Sequence, residues 1–221
     1  ALRVAADLVS SRPDVDLLLL AGASRESELL DYTNRRSRFM FNFGDGGGAA
    51  LLERGREQNV ILDSSIRTDG SFSEDVMVPV GGSRRPQTRE TIEEGLHRLD
   101  VADPESMKRR LDPVSLDRFV AVAREAVEAS GHELADLDFL SVLHTKRSLH
   151  EALLERLELD GEQTVYLDRW GHLSAVDPLI GLREGERTGK LDGSDGPALA
   201  LALSAGTGYT WAATALRWGT P

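Results

Sequence analysis

Leu143-His144-Thr145-Lys146-Arg147 and Arg169-Trp170-Gly171-His172-Leu173-Ser174-Ala175 decide how this chain is read. Each stretch places one imidazole where a strand or loop gives way to a helix. A third stretch, Ser204-Ala205-Gly206-Thr207-Gly208-Tyr209-Thr210-Trp211, sets a glycine turn between two apolar runs. Two ring nitrogens and a turn of free backbone amides are the kind of groups that stabilise negative charge growing on a carbonyl oxygen. Such chemistry on acyl groups usually runs through a thiolate, and the 221 residues contain no cysteine.

The elements around these stretches follow from periodicity. Leu137 to Leu143 reads as a strand ending at His144, and Leu149 to Leu157 as an amphipathic helix. Thr164 to Leu167 reads as a short strand. Ser174 opens a further helix with Pro178 in its first turn, where the missing N–H costs little. Pro197 to Leu203 and Thr210 to Trp218 are strands joined through the glycine turn. Upstream, Leu2, Val4, Ala5, Leu8 and Val9 recur at helical spacing over Ala1 to Ser10. Asp16 to Ala21, Val60 to Arg67 and Asp75 to Val80 read as strands. Asp103 to Ser130 is mostly helix, with Asp103 as N-cap and Pro104 at the first helical position. Pro113 is expected to split it. From Ser115 onward, Leu116, Phe119, Val120, Val122, Ala123 and Val127 form one apolar face. Strand and helix alternation of this kind predicts a layered α/β fold with no convincing linker.

Phe43-Gly44-Asp45-Gly46-Gly47-Gly48-Ala49 superficially matches a dinucleotide fingerprint. The apolar run behind it is short and no acid follows at ribose spacing, so that reading is rejected. No Gly-Lys-Ser/Thr marks a P-loop either. A tight turn with close backbone packing is preferred over phosphate binding.

Bulk properties exclude several classes. A net charge of -11 argues against nucleic acid as a partner. The absence of cysteine rules out a disulfide scaffold and zinc-finger spacing. Apolar runs such as Leu17 to Ala21 are strand-sized, far short of a membrane span. No signal peptide is visible at Ala1. A cytoplasmic enzyme without a metal fits best. His97, His132 and His150 lie among charged residues and read as surface positions.

With these landmarks in place, the chain resembles β-ketoacyl-acyl-carrier-protein synthase III. Phe43-Gly44-Asp45-Gly46, His144, Trp170-Gly171-His172 and Ala205-Gly206-Thr207-Gly208-Tyr209-Thr210-Trp211 fall in that family's order and near its spacing. The resemblance runs from Ala1 to Trp218. It implies a thiolase-like α-β-α-β-α fold of two similar halves. Residues 1–86 would be the end of the first half and residues 87–221 the complete second half. It also implies a nucleophilic cysteine just upstream of Ala1, on a missing N-terminal segment or a partner chain. Without that part, a large apolar face should be left uncovered.

The activity implied is decarboxylative condensation of an acyl-CoA with a malonyl thioester, on acyl carrier protein or coenzyme A. Acyl-CoA would be a substrate, with no permanently bound cofactor, and the enzyme a homodimer. His144 matches the family's histidine. His172 stands where the family has asparagine, and its neutral ring is expected to donate Nε2–H to the enolate oxygen. Thr207 matches the backbone amide of the acyl oxyanion hole, with Gly206 and Gly208 giving the turn its freedom. Thr145-Lys146-Arg147 departs from the family's usual sequence. Lys146 and Arg147 either meet a phosphate or carboxylate or sit at a solvated helix start, the second being preferred. Arg35, Arg36 and Arg38 fall near the family's contact with the adenine end of coenzyme A. Arg35–Arg38, Lys108–Arg110 and Lys146–Arg147 are candidate docking patches for an acidic carrier. Ser204 stands near the place where thiolases carry a second cysteine, which favours decarboxylative chemistry or plain acyl transfer. Two alternatives stay open: transfer to an alcohol or amine without decarboxylation, with His144 as base, and a catalytically silent thiolase-like subunit.

Overall fold

The computed structural model describes residues 1–194 and 196–220. Helix α1 (Leu2–Ser11) leads into the strands β1 (Leu17–Arg25), β2 (Asp45–Glu53) and β3 (Val60–Thr68). A short pair, β4 (Val76–Met77) and β5 (Asp100–Val101), flanks helix α2 (Arg89–Glu93). Then follow α3 (Pro104–Ala129), β6 (Phe139–Val142), α4 (Arg147–Leu157), α5 (Asp177–Thr188), β7 (Ala198–Gly206) and β8 (Thr210–Trp218).

The main sheet has the order β3-β8-β7-β6. β3 and β7 run antiparallel to β8, while β6 and β7 are parallel. The parallel pair is joined by the α4–α5 crossover, as parallel strands require. Period-two alternation along β7 sorts its side chains. Leu199, Leu201 and Leu203 join α3 and α4 in one apolar layer, while Ala198, Ala200 and Ala202 face α5. The small residues let α5 approach closely. A Cβ at Gly185 would stand 2.4 Å from the Phe139 ring, so glycine is required there.

β1 and β2 form a separate hairpin with Leu19 opposite Leu51. The glycine run is therefore strand, not the expected tight turn. Close packing, the other half of that expectation, is what the glycines provide: a Cβ at Gly46 would meet Leu173 at 2.9 Å. A third apolar cluster, Leu30, Met40, Val76, Val101 and Met107, closes the end beneath the β4–β5 pair.

Three element boundaries differ from expectation. Pro113 lies inside α3 and does not split it. The carbonyl it frees belongs to Arg109, which is exposed and open to water, and buried Met107 and Phe119 hold the helix on both sides. Of Asp75 to Val80 only Val76–Met77 pairs, and of Thr164 to Leu167 only Thr164 bridges, to Leu140.

α1 buries Ala5 and Val9 and leaves Val4 61% and Leu8 44% exposed. Leu17, Leu19, Leu51 and Ile66 are exposed as well. These six apolar side chains lie on α1, β1, β2 and β3. No helix among the described residues is long and apolar enough to cross a membrane.

Candidate active site

β6 and β7 are parallel, so their C-terminal ends open on the same edge of the sheet, the usual location of α/β sites. His144 follows β6 there. The β7–β8 turn carrying Thr207 and Gly208 follows β7. Leu143 donates its amide to the Leu203 carbonyl at 3.0 Å, which fixes His144 beside β7.

His172 reaches this edge from another direction. Its backbone inserts between Asn42 and Gly44: His172 N–H donates to the Asn42 carbonyl and Gly44 N–H to the His172 carbonyl, both at 2.9 Å. Gly171 makes this possible. Its φ is +72°, and a Cβ there would stand 2.5 Å from the Asn42 oxygen. The His172 ring also packs on Phe43, with centroids 4.7 Å apart.

Asp177, the first residue of α5, joins the two histidines. It is fully buried. Its Oδ2 accepts the His144 amide at 2.8 Å and lies 2.6 Å from His172 Nδ1. Its Oδ1 accepts the Leu173 amide at 2.7 Å. Two backbone donors suit the ionised, acceptor-only carboxylate. His172 Nδ1 must then be the protonated nitrogen. A neutral His172 presents a lone pair at Nε2, and only an imidazolium presents Nε2–H. The neutral Nε2–H donor expected at His172 corresponds to the other tautomer, with Nδ1 unprotonated against Asp177.

The His144 ring packs on Tyr166 at 4.9 Å between centroids, and its Nδ1 is buried without a hydrogen-bond partner among the described residues. Burial pushes its pKa below the usual histidine range, outweighing the attraction of Asp177. His144 is therefore neutral at neutral pH. Orphaned N–H groups are rarer than orphaned acceptors, which favours the proton on Nε2. Tyr166 is clamped in turn: its hydroxyl donates to the Thr145 carbonyl at 2.9 Å, and the Arg147 guanidinium lies 4.1 Å over its ring.

His150 is not a surface residue. It is buried, its ring meets Tyr166 edge-on at 5.1 Å, and burial with Arg147 and His144 nearby pushes its pKa down to about 4. The charged neighbours in sequence hid a position one turn into α4 that points at the core.

The remaining expected residues are placed less centrally. Arg36 is paired with Asp100, and Arg35 is exposed in the 3-10 turn that precedes Asn42. Lys146 is exposed at the start of α4, while Arg147 lies 3.8 Å from Asp168. Thr207 is exposed in the three-residue turn. Of its glycines, only Gly208 takes a positive φ, at +128°; Gly206 ends β7 in ordinary strand pairing. Asp177 and Tyr166 were missed. The Asp-Pro pair five residues after His172 was the available signal for Asp177; Tyr166 had none.

Comparison with known proteins places this arrangement. The family model for 3-oxoacyl-[acyl-carrier-protein] synthase III matches residues 1–70, and that for its C-terminal part matches residues 127–218. A β-ketoacyl-[acyl-carrier-protein] synthase III from Syntrophomonas wolfei is 31% identical over 213 residues, covering 94% of this chain and 60% of the relative. One from Clostridioides difficile is 30% identical over 202 residues, covering 91% and 58%. The crystal structure of the Thermus thermophilus synthase superposes over 100% of this chain and 64% of its own, with a TM-score of 0.79 at 26% identity. The fold is thus the layered thiolase-like one. The chain belongs to the 3-oxoacyl-[acyl-carrier-protein] synthase III family, and it spans about three fifths of the length of the curated relatives it matches.

Proposed function

We propose that this chain is the larger part of a condensing acyltransferase of the 3-oxoacyl-acyl-carrier-protein synthase III type. An acyl group from acyl-CoA is taken up on a cysteine thiolate supplied from outside these 221 residues. A malonyl thioester, on acyl carrier protein or coenzyme A, then loses CO₂, and its carbanion attacks the acyl carbon. His144 donates Nε2–H to the enolate oxygen formed by decarboxylation. His172 serves as the second donor when protonated, with the imidazolium stabilised by Asp177. The Thr207 amide, in the turn that Gly208 allows, receives the acyl oxyanion.

The observation that carries this reading is the gathering of His144 and His172 on one buried carboxylate oxygen at the C-terminal edge of the parallel strands. The uncovered face of Val4, Leu8, Leu17, Leu19 and Leu51 supports the view that the rest of a longer protein, with its nucleophile, packs there. Residues 1–86 then complete one half and residues 87–221 form the other. Arg35, Arg36, Lys146 and Arg147 are assigned to the phosphates of coenzyme A or the carrier's prosthetic arm, with Arg36 drawn away from Asp100 to take part. The protein is a cytoplasmic homodimer of fatty acid or polyketide synthesis, with no resident cofactor. The test is release of CO₂ and formation of a β-ketoacyl thioester from acyl-CoA and malonyl-acyl carrier protein by the complete protein.

A second reading is favoured by one observation. The 2.6 Å contact of His172 Nδ1 with Asp177 leaves neutral His172 a base at Nε2. That suits transfer of the acyl group to an alcohol or amine without loss of CO₂. Formation of an ester or amide from acyl-CoA, with no malonyl thioester present, would support it.

A further inference from the structure

We propose that Asp177 is the positioning residue of this site: it accepts a hydrogen bond from Nδ1–H of His172 and so leaves Nε2 as a proton acceptor aimed at the acyl-transfer step. The inference rests on the proposed acyl transfer but not on which acceptor ends the reaction.

Three observations support it. Asp177 is fully buried, yet its hydrogen bonds among the described residues come from the catalytic edge: the amides of His144 and Leu173 and the ring of His172. A buried carboxylate used only to cap α5 has no need of a ring partner from the preceding loop. Phe43 packs edgewise with the ring of His172, and the Asn42–Gly44 backbone holds its main chain. Its side chain keeps 15% of its exposure, so it is not sealed in the core. Finally, the same Oδ2 holds the His144 backbone amide, so a single atom ties the main chain of His144 to the ring of His172.

The division of labour follows. His144, neutral with its Nδ1 shut in, offers a hydrogen-bond donor. His172, with its Nδ1–H given to Asp177, offers a lone pair. When an acyl thioester meets an acceptor X–H, a thiol or a hydroxyl, the proton passes from X to His172 Nε2. The X–C bond forms as the C–S bond breaks. The imidazolium then returns the proton to the departing thiolate, and the site is regenerated with no net change.

The experiment is performed on the complete protein carrying this chain. Nitrogen-15 NMR of histidine-labelled wild type should report His172 as the Nδ1–H tautomer; an Nε2–H tautomer would overturn the proposal. Asp177→Asn should lower kcat for acyl transfer by roughly 10²-fold or more while KM changes little. It should also abolish the uniform Nδ1–H signal, because an amide can donate to Nδ1 as readily as accept from it. A folded Asp177→Asn protein with wild-type kcat overturns the proposal. So does one that loses activity while keeping the Nδ1–H signal, since Asp177 would then be structural only. If Asp177→Asn does not fold, the wild-type tautomer decides alone. If the wild type has the Nδ1–H tautomer but transfers no acyl group to any acceptor, the proposed function fails and the positioning of His172 stands.

Discussion

Asp177 stands 2.6 Å from the ring of His172, five residues earlier, and the same carboxylate oxygen receives the His144 amide at 2.8 Å. One carboxylate oxygen therefore holds the His172 ring and the His144 backbone together. A substitution at Asp177 should disturb both histidines.

The first prediction concerns His172. Replacing it by Ala should lower malonyl-thioester decarboxylation by roughly 10²-fold, the scale of losing one donor from an oxyanion site. Replacing it by Asn should retain more of the rate than Ala, because the amide supplies N–H without needing protonation. Equal rates for Ala and wild type would make His172 a structural residue.

Gly171 governs how the His172 segment enters between Asn42 and Gly44. Gly171→Ala must place a Cβ 2.5 Å from a backbone oxygen at a φ of +72°. The expected cost is about 1–3 kcal/mol of stability, with loss of acyl transfer as the ring moves off Asp177. Chemical denaturation of variant and wild type measures the first, and an unchanged midpoint would contradict the packing described.

His150 makes stability sensitive to acid. Unfolded, it titrates near 6.5; folded, among Tyr166, Arg147 and His144, it does so at about 4. Below 6.5 the unfolded state binds more protons, so stability falls as pH drops from 6.5 toward 4. At still lower pH the loss is on the order of 3 kcal/mol. His144 acts in the same direction. His150→Leu should flatten this dependence in denaturation curves taken between pH 7 and 4. An unaltered slope would place the acid sensitivity elsewhere.

Sequence alone made the fold legible where side-chain periodicity was strong. β7 alternates Ala and Leu over Ala198 to Leu203, and both faces of the sheet follow from that. His144 and His172 were legible because each sits at a strand or loop boundary beside a helix start. The glycine run of β2 was misread as a turn, since its glycines answer to Leu173 and Val176, more than 100 residues away. Asp177 was hidden for a similar reason. Its burial depends on β6 and α5 meeting, and an Asp-Pro helix start looks identical when solvated. Arg36 shows the converse: a basic cluster suggested a ligand, while its guanidinium is paired with Asp100, which the sequence places far off.

Leu19 and Leu51 face each other on the uncovered side of the hairpin. Leu19→Lys with Leu51→Glu should make the isolated 221-residue chain less prone to aggregate. In the complete protein the same pair should lower stability by several kcal/mol, as buried charges do. Light scattering on the first and thermal unfolding of the second test this. No effect on the complete protein would mean that the face stays open to solvent.

The central claim is tested most directly by giving the complete protein acyl-CoA and malonyl-acyl carrier protein and following products by mass spectrometry, for wild type and His144→Ala. The wild type should give a β-ketoacyl thioester and CO₂ in equal amounts, with a fall of roughly 10²-fold for His144→Ala. This would be contradicted by a wild type that leaves acyl-CoA unconsumed, or by a His144→Ala protein that condenses at the full rate.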